Sequence, residues 1–303
     1  MKKFDNGTRK EMLENMSASW LRLRNQTFLL IGILVVALLA ALTKQMLPSV
    51  IFLALMAVFR LTIHRNARKS YQQAMTDAAL TCSIGAKLDQ FELSAKGGTG
   101  LRKEEIRETF LLPVREGADN FITLYQGISG TLKDMEISLN DVTFQQYQHA
   151  GQKGADVACG IWMRLALPKD TGLDLRILSK DIIADDLREE FFAGLPELKK
   201  QDAAEAGFRE KQLLYAGSTA AGDAAEKSSP VALPDAFVSA VNDLFRKTSG
   251  KPAVAVRGNV MSVFLKDRIL APNYRLNTKP EESFLNLDPV PEFRDVLAAA
   301  KAL

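Results

Sequence analysis

Histidine is the side chain that most often exchanges protons near neutral pH, and this chain contains two, His64 and His149. His64 follows a long apolar run and lies in a basic stretch, so we expect it among lipid headgroups. His149 lies in a predicted loop beside Gly151, and a Ser/His/Asp catalytic triad that uses this histidine is kept as an alternative. The G-x-S-x-G nucleophile motif is not present in the sequence, so a hydrolase is an alternative and not the favoured interpretation.

Three further patterns resemble binding motifs. Residues 96–100 are glycine-rich but lack the G-x-x-x-x-G-K-[ST] order that cradles phosphate. Asp186 and Glu190 share one face of a predicted helix and would suit a divalent cation, although a solvated helix face is favoured. Cys82 and Cys159 lack zinc-site spacing and are expected to be partly buried thiols. We therefore predict no catalytic, cofactor-binding or metal-binding residues.

The charges divide sharply along the chain. Residues 1–70 carry a net charge of +8, and the remainder carries −5. The basic character of the protein thus belongs to its N-terminal quarter, and the rest is acidic. Binding of nucleic acid depends on a basic surface against phosphates, so we expect no nucleic-acid partner.

Two long apolar runs lie in this basic N-terminal quarter of the chain. Residues 28–42 contain no polar side chain, and with Thr27 and Thr43 they would span about 26 Å as a helix, close to the ~30 Å hydrocarbon core of a bilayer. A second apolar run covers residues 46–59 and has Pro48 in its first turn. We predict a transmembrane helical hairpin over residues 27–63. A cleaved signal peptide, a buried soluble hairpin and one kinked helix remain open as alternatives.

Basic residues flanking the runs predict the orientation. Both outer flanks are rich in Lys and Arg, whereas the connecting loop has only Lys44. We predict a protein of the cytoplasmic (inner) membrane with two spans, and with both termini and the soluble domain in the cytoplasm. The predicted membrane-interface residues are Trp20, Arg22, Arg24, Lys44, Arg60, Arg65, Arg68 and Lys69.

Residues 1–26 are predicted to form an amphipathic or flexible cytoplasmic N-terminus. Met12, Leu13, Met16 and Trp20 recur at helical spacing. This stripe is typical of a helix lying on the membrane surface, and a solvated helix start is the alternative.

The rest of the chain mixes helical and strand patterns. Residues 64–100 are predicted to form a helical connector, and residues 270–303 a proline-containing tail with a short helix at 292–302. Between them, residues 101–269 are predicted to form a soluble α+β domain with antiparallel strands. Strands at 121–128, 131–139 and 142–147 should form a meander, followed by strands at 157–167, 173–178 and 208–215 and helices at 185–192 and 233–245. Gly258-Asn259 predicts a type II′ hairpin turn.

The fold class is therefore α+β, with an N-terminal two-helix transmembrane hairpin followed by a soluble domain. Five segments appear in a recognisable order: IRETFL (106–111), GISG (127–130), MEI (135–137), LYAGS (214–218) and LPDAF (233–237). This order resembles domain-of-unknown-function family 3137 of bacterial membrane-anchored proteins, although an Ala/Gly-rich stretch replaces that family's acidic turn after Tyr215. The resemblance implies paired membrane helices and an α+β cytoplasmic domain, and it implies no catalytic residues.

We expect a membrane-anchored cytoplasmic interaction or scaffold module whose partners are the lipid bilayer and a protein of unidentified kind. One alternative is an accessory subunit of a larger membrane assembly, packed through small residues such as Gly32, Ala37, Ala40 and Ala41. A membrane-bound hydrolase using carboxylates or His149 is the other alternative. No cofactor is predicted, and enzymatic activity is the less favoured interpretation.

Overall fold

The computed structural model describes residues 2–43, 46–94, 100–113, 120–146, 155–217, 232–248, 251–271 and 278–303. The chain forms two compact units. The helical unit comprises Phe4–Ala86 and Ala271–Pro289, and the sheet unit comprises Met1–Lys3, Lys87–Leu270 and Val290–Leu303. The chain therefore leaves the sheet unit after Leu270 and returns to it at Val290. The predicted domain boundaries, which follow one another along the chain, did not include this return.

The helical unit is a long hairpin. Helix α1 (Asn6–Leu42) is one helix of 37 residues, and its first turn is capped by Asp5, whose carboxylate accepts the Thr8 backbone N–H at 2.7 Å. Helix α2 (Met46–Phe59) continues through a π-helical turn (Arg60–His64) into α3 (Arg65–Ser83). Residues 26 and 63 are therefore not helix boundaries. Helix α1 contacts both α2 and α3, so two continuous helices pack side by side.

One end of this hairpin has an ordinary protein core. Met12, Met16 and Leu23 of α1 pack with Tyr71 and Met75 of α3. The segment 278–289 completes the cluster with a 3-10 helix (Glu282–Asn286) that contributes Leu285. The apolar stripe, for which a membrane surface and a solvated helix start were the two predictions, instead packs against protein, because α3 carries a matching apolar face.

The sheet unit contains one antiparallel sheet of nine strands in the order β1-β2-β3-β4-β9-β8-β5-β7-β6. This confirms the mixed helix and antiparallel-sheet class. The strands are β1 (Gln90–Ser94), β2 (Asn120–Leu132), β3 (Met135–Gln146), β4 (Ala155–Ala166), β5 (Asp174–Ser179), β6 (Leu198–Gln201), β7 (Gln212–Gly217), β8 (Lys251–Arg257) and β9 (Val260–Lys266).

The predicted three-strand meander is wrong in detail. It consists of two long strands, β2 and β3, whose turn lies at Lys133, a residue with φ 55°. Gly130 lies inside β2 and not in a turn. A Cβ at this position would come within 2.1 Å of the Gln90 carbonyl oxygen on β1, so the close approach of β1 requires a glycine here. Strand β1 itself lies within the predicted helical connector. The β8–β9 hairpin is confirmed, and Gly258 has the positive φ of 59° that the first position of a type II′ turn requires.

Helices cover both faces of the sheet. Helices α4 (Lys103–Glu108) and α5 (Asp185–Ala193) border the cluster that contains the rings of Phe144, Trp162 and Phe264. Helices α6 (Asp235–Lys247) and α7 (Phe293–Ala302) contact each other, and α6 contacts β8. The predicted C-terminal tail is thus divided, since α7 is packed into the sheet unit through its fully buried Phe293.

Candidate functional site

The far end of the helical hairpin exposes apolar side chains on every side. Eighteen large apolar side chains of the described residues between positions 28 and 63 are exposed, with Phe28 at 63% and Leu42 at 79%. We call this surface the apolar band. Helices Asn6–Leu42 and Met46–Lys87 are long and apolar enough to cross a membrane, and 6% of each most apolar window is buried. The core helix of a soluble protein would instead be mostly buried.

Basic residues border the apolar band at one level of the hairpin. Thr27 Oγ1 and His64 Nε2 lie 3.2 Å apart, so these two positions face each other across the helices. At about 1.5 Å per residue, five exposed cations lie within about 8 Å of that level along the helix axes on the side away from the apolar band, and we call them the basic belt. Its members are Arg22, Arg24, Arg65, Arg68 and Lys69.

The other predicted interface residues are placed less uniformly. The Arg24 guanidinium lies 4.8 Å from the centre of the Trp20 ring, which joins Trp20 to the basic belt. Arg60 precedes His64 by four residues and lies about 6 Å from it along the helix axis, on the side of the apolar band. Lys44 lies outside the described residues. The role of all eight residues at a membrane interface remains a prediction.

The residues considered for chemistry do not converge in the part of the chain that the structure describes. His149 and residues 96–99 lie outside it. Asp185 pairs with Arg188 at 2.7 Å on α5, and no group of three His, Cys, Asp or Glu suited to a metal occurs among the described residues. Cys82 is half-buried as expected, but Cys159 is exposed, because it borders an open groove beside Asp141.

A cavity of about 670 Å³ lies in the sheet unit between the sheet and residues 101–110. Ser262 on β9 faces Arg164 on β4 and Ala255 on β8 in the sheet register. The small side chains of Ser262 and Ala255 leave a depression between longer neighbours. Trp162 and Arg257 stand beside it, since alternate residues of a strand share a face. We call this space the arginine cavity.

Hydrogen bonds from one buried and one exposed arginine hold residues 101–110 over the arginine cavity. Arg176 is fully buried, and its Nε donates to the Thr109 carbonyl oxygen while its Nη1 donates to Asp174. Burial lowers the pKa of the Arg176 guanidinium, and the hydrogen bond that the guanidinium donates to Asp174 opposes that shift. Arg257 Nη1 donates to the Glu108 carbonyl oxygen at 2.9 Å. Two arginines from the sheet thus fix the roof of the cavity.

The roof ends in an unusual backbone conformation. Phe110 lines the arginine cavity with φ 48°, a left-handed value that a bulky residue adopts at a cost of about 1–2 kcal/mol. Its backbone N–H still donates to the Arg107 carbonyl oxygen at 3.0 Å. The surrounding hydrogen bonds therefore impose this conformation and present the Phe110 ring to the cavity.

A second ionisable feature lies at Asp141 on β3. Its carboxylate accepts the Leu270 backbone N–H at 2.8 Å and the Gln126 side-chain amide at 3.1 Å. Burial raises the pKa of Asp141 to about 6, and these two hydrogen bonds oppose the rise. Asp141 therefore fastens the end of the sheet unit at Leu270 and is ionised at neutral pH.

Sequence reasoning missed the arginine cavity. Arg164 and Arg176 interrupt strands that are otherwise largely apolar, and Arg257 ends a third such strand. A charged residue in such a strand was the available signal. Comparison of the chain with models of known protein families, with curated proteins and with solved structures gives no match.

Proposed function

We propose that this protein is anchored in the inner membrane by two spans formed by the apolar band, and that it acts as a membrane-tethered interaction or scaffold module. The observation that carries the proposal is the apolar band bordered by the basic belt. Soluble monomers rarely expose contiguous apolar patches larger than a few hundred Å². A bilayer removes this surface from water at a gain of about 25 cal/mol per Å².

The basic belt supports the orientation. Its cations lie at the open end of the hairpin, and cytoplasmic flanks of membrane helices are enriched in Lys and Arg. With two spans, both outer flanks of the hairpin are on one side of the membrane. We therefore place both termini and the sheet unit in the cytoplasm.

Extraction from membranes tests the anchor. The full chain should stay with membranes after washing with alkaline carbonate and with high salt, and a non-ionic detergent should release it. Release by carbonate alone would contradict two membrane spans, because peripheral proteins bound through charge are removed by such washing.

Thiol labelling tests the orientation. In a Cys82→Ser background, exposed Cys159 should react with a membrane-impermeant maleimide only after the cells are lysed. A cysteine placed at Thr43, in the turn of the hairpin, should react in intact spheroplasts. The reverse pattern would overturn the proposed orientation and leave the anchor intact.

A tether supports an interaction role because it confines the sheet unit to a thin layer at the bilayer. Confinement raises the effective concentration of one binding partner toward another to about the millimolar range, so a modest surface suffices. Membership of domain-of-unknown-function family 3137 is part of this proposal and would be consistent with such a role.

An accessory subunit of a membrane assembly is the second candidate. Ala37 is already used inside the hairpin, where its carbonyl oxygen accepts Ser49 Oγ at 3.1 Å. Gly32 in contrast is exposed, and a Cβ there would meet nothing within 4 Å. A partner helix could approach closely at Gly32. Copurification in mild detergent tests this candidate. A second chain should copurify with the protein, and the variant Gly32→Leu should lose that chain.

A further inference from the structure

We propose that the arginine cavity binds a small organic anion, whose carboxylate or phosphate group contacts Arg164 and Arg257 and whose flat apolar part lies against Phe110, beside the fully buried Trp162. This inference goes beyond the membrane tether and does not depend on it. A volume of about 670 Å³ lies within the range of about 300–1,000 Å³ that is usual for ligand pockets.

The charges around the cavity favour an anion. Three arginines line it, Arg102, Arg164 and Arg257, against two glutamates, Glu105 and Glu108. Glu105 is already engaged, since its carboxylate accepts the Arg102 backbone N–H at 2.8 Å and lies 3.4 Å from Arg164 Nη2. A guanidinium group presents five N–H donors in a planar fork that suits carboxylate and phosphate oxygens.

Arg257 has donors to spare. Its guanidinium donates to the Glu108 carbonyl oxygen through one of its two terminal nitrogens. Its neighbour Asp174 is paired with Arg176, so that carboxylate is committed elsewhere. An incoming anion would therefore meet positive charge that the described carboxylates of the cavity do not fully neutralise.

The remaining wall is apolar and partly aromatic. Leu101, Phe110, Trp162 and Val260 line the cavity. The Trp162 indole Nε1–H is buried and has no acceptor among the described residues. Aromatic walls with a few convergent charged groups are typical of sites for small molecules that carry one charged end.

Trp162 supplies a direct readout. The chain has two tryptophans, so Trp20→Phe leaves Trp162 as the sole indole fluorophore. The full chain in detergent is titrated with phenyl phosphate, benzoate and adenosine 5′-monophosphate while Trp162 emission is followed. Benzyl alcohol, benzamide and adenosine are the neutral counterparts, and inorganic phosphate tests whether the charged group alone suffices.

We expect at least one aromatic anion to change Trp162 emission saturably, with its neutral counterpart about tenfold weaker or more. Arg257→Gln should weaken binding of that anion by about tenfold, which corresponds to one charge-assisted hydrogen bond. Arg257 is exposed, so this substitution should not unfold the chain. Ser262→Leu, which fills the cavity floor, should abolish the response without any change of charge.

The matched control is Arg246→Gln on α6, where an exposed arginine pairs with Asp243 at 2.7 Å, and it should bind like the parent. Three results would each overturn the proposal. These are no saturable response to any of the anions at about 10 mM, equal affinity for an anion and its neutral counterpart, or affinity unchanged by Arg257→Gln. None of these results bears on extraction from membranes, so the tether is judged separately.

Discussion

The apolar band and the sheet unit are both rich in large aliphatic residues, yet they treat them in opposite ways. Ile161 on β4 is fully buried, whereas Ile31 on α1 is 51% exposed. Tyr125 and Ile269 are the exposed large apolar side chains of the sheet unit among its described residues. The sheet unit excludes water with its own layers, and the apolar band has no protein layer over it in the described chain. The difference supports the proposed membrane anchor, in which a bilayer and not protein covers the band.

The most severe way to break this contrast is to place charge in the apolar band. A double variant, Val35→Arg with Leu53→Arg, adds one cation to each helix at positions that are 47% and 42% exposed. Each arginine at the centre of a span costs about 2.5–3.5 kcal/mol of insertion free energy. We expect the carbonate-resistant fraction of the protein to fall to near zero, measured by quantitative immunoblotting of membrane and soluble fractions.

The control for that variant is Leu21→Arg, an equally exposed leucine (43%) that lies outside the band, beside the basic belt. It should leave the carbonate-resistant fraction unchanged. If the double variant behaves like Leu21→Arg, the band faces water or protein and the contrast with the sheet unit disappears.

A matched pair of isoleucines measures the contrast within one residue type. Ile161→Ala should lower the free energy of unfolding of the sheet unit by about 3 kcal/mol, because it opens a cavity in a packed core. Ile31→Ala should leave that unfolding unchanged, since the Ile31 side chain touches solvent or lipid and not the sheet. Denaturant titration followed by Trp162 emission in a Trp20→Phe background measures both.

The two isoleucine variants can contradict the comparison in a specific manner. A loss of about 3 kcal/mol in both would show that the band is packed as tightly as the core of the sheet. Equal and negligible losses would show that Ile161 is not packed in the core of the sheet unit.

The sequence predicted the parts of the fold that follow from local pattern. Residues 28–42 are apolar on all sides, so a long apolar helix was predicted, and Gly258-Asn259 marked the β8–β9 turn correctly. Strand β1 was missed because Gln90–Ser94 has mixed polarity and becomes a strand only by pairing with β2. Neither the membrane surface nor the solvated helix start predicted for the stripe near Met16 is correct, because a stripe on one helix does not reveal that α3 covers it.

The arginine cavity shows a different limit. Arg164 and Arg257 are 93 positions apart in the chain, and β9 lies between their strands in the sheet. The depression between them depends on Ser262 and Ala255 being small at the same register position. Strand order and register arise from tertiary packing, so a charged residue in an apolar strand was a signal for each arginine alone, and the spacing along the sequence did not show that they meet.

Asp141 is a carboxyl group largely buried in the sheet unit, and residues 28–63 contain no Asp or Glu to compare with it. The pKa of Asp141 is raised from 3.8 to about 6, so the folded state binds protons more tightly than the unfolded state. Between about pH 4 and pH 6 stability should therefore fall as pH rises, and it should remain low above pH 6. Asp141→Asn removes the buried charge but keeps an oxygen that accepts the Leu270 N–H.

At pH 7.5 we expect Asp141→Asn to raise the free energy of unfolding by about 1 kcal/mol, discounted because the carboxyl is partly reached by solvent. The gain should vanish near pH 4, where Asp141 is protonated in both states. Denaturant titrations at several pH values measure the difference. A gain independent of pH would show that burial of charge is not its cause, and extraction from membranes should not change at any pH.

The smallest expected effect concerns a hydrogen bond inside the hairpin. Ser49 Oγ on α2 donates to the Ala37 carbonyl oxygen on α1 at 3.1 Å, and both residues are buried although their neighbours are exposed. Thr62 makes the matched bond within one helix, to the Val58 carbonyl oxygen at 2.7 Å. Ser49→Ala should weaken pairing of the two helices by about 0.6 kcal/mol, a typical value for polar contacts between membrane helices. Thr62→Ala should leave pairing unchanged, because its bond does not join two helices. Energy transfer between dyes on the two helices, followed through denaturation in detergent, separates the two outcomes.

A loss of several kcal/mol in Ser49→Ala would mean that the unpaired Ala37 carbonyl has no alternative partner, as in a sealed protein core. The band would then resemble the sheet unit more than its exposed surface indicates.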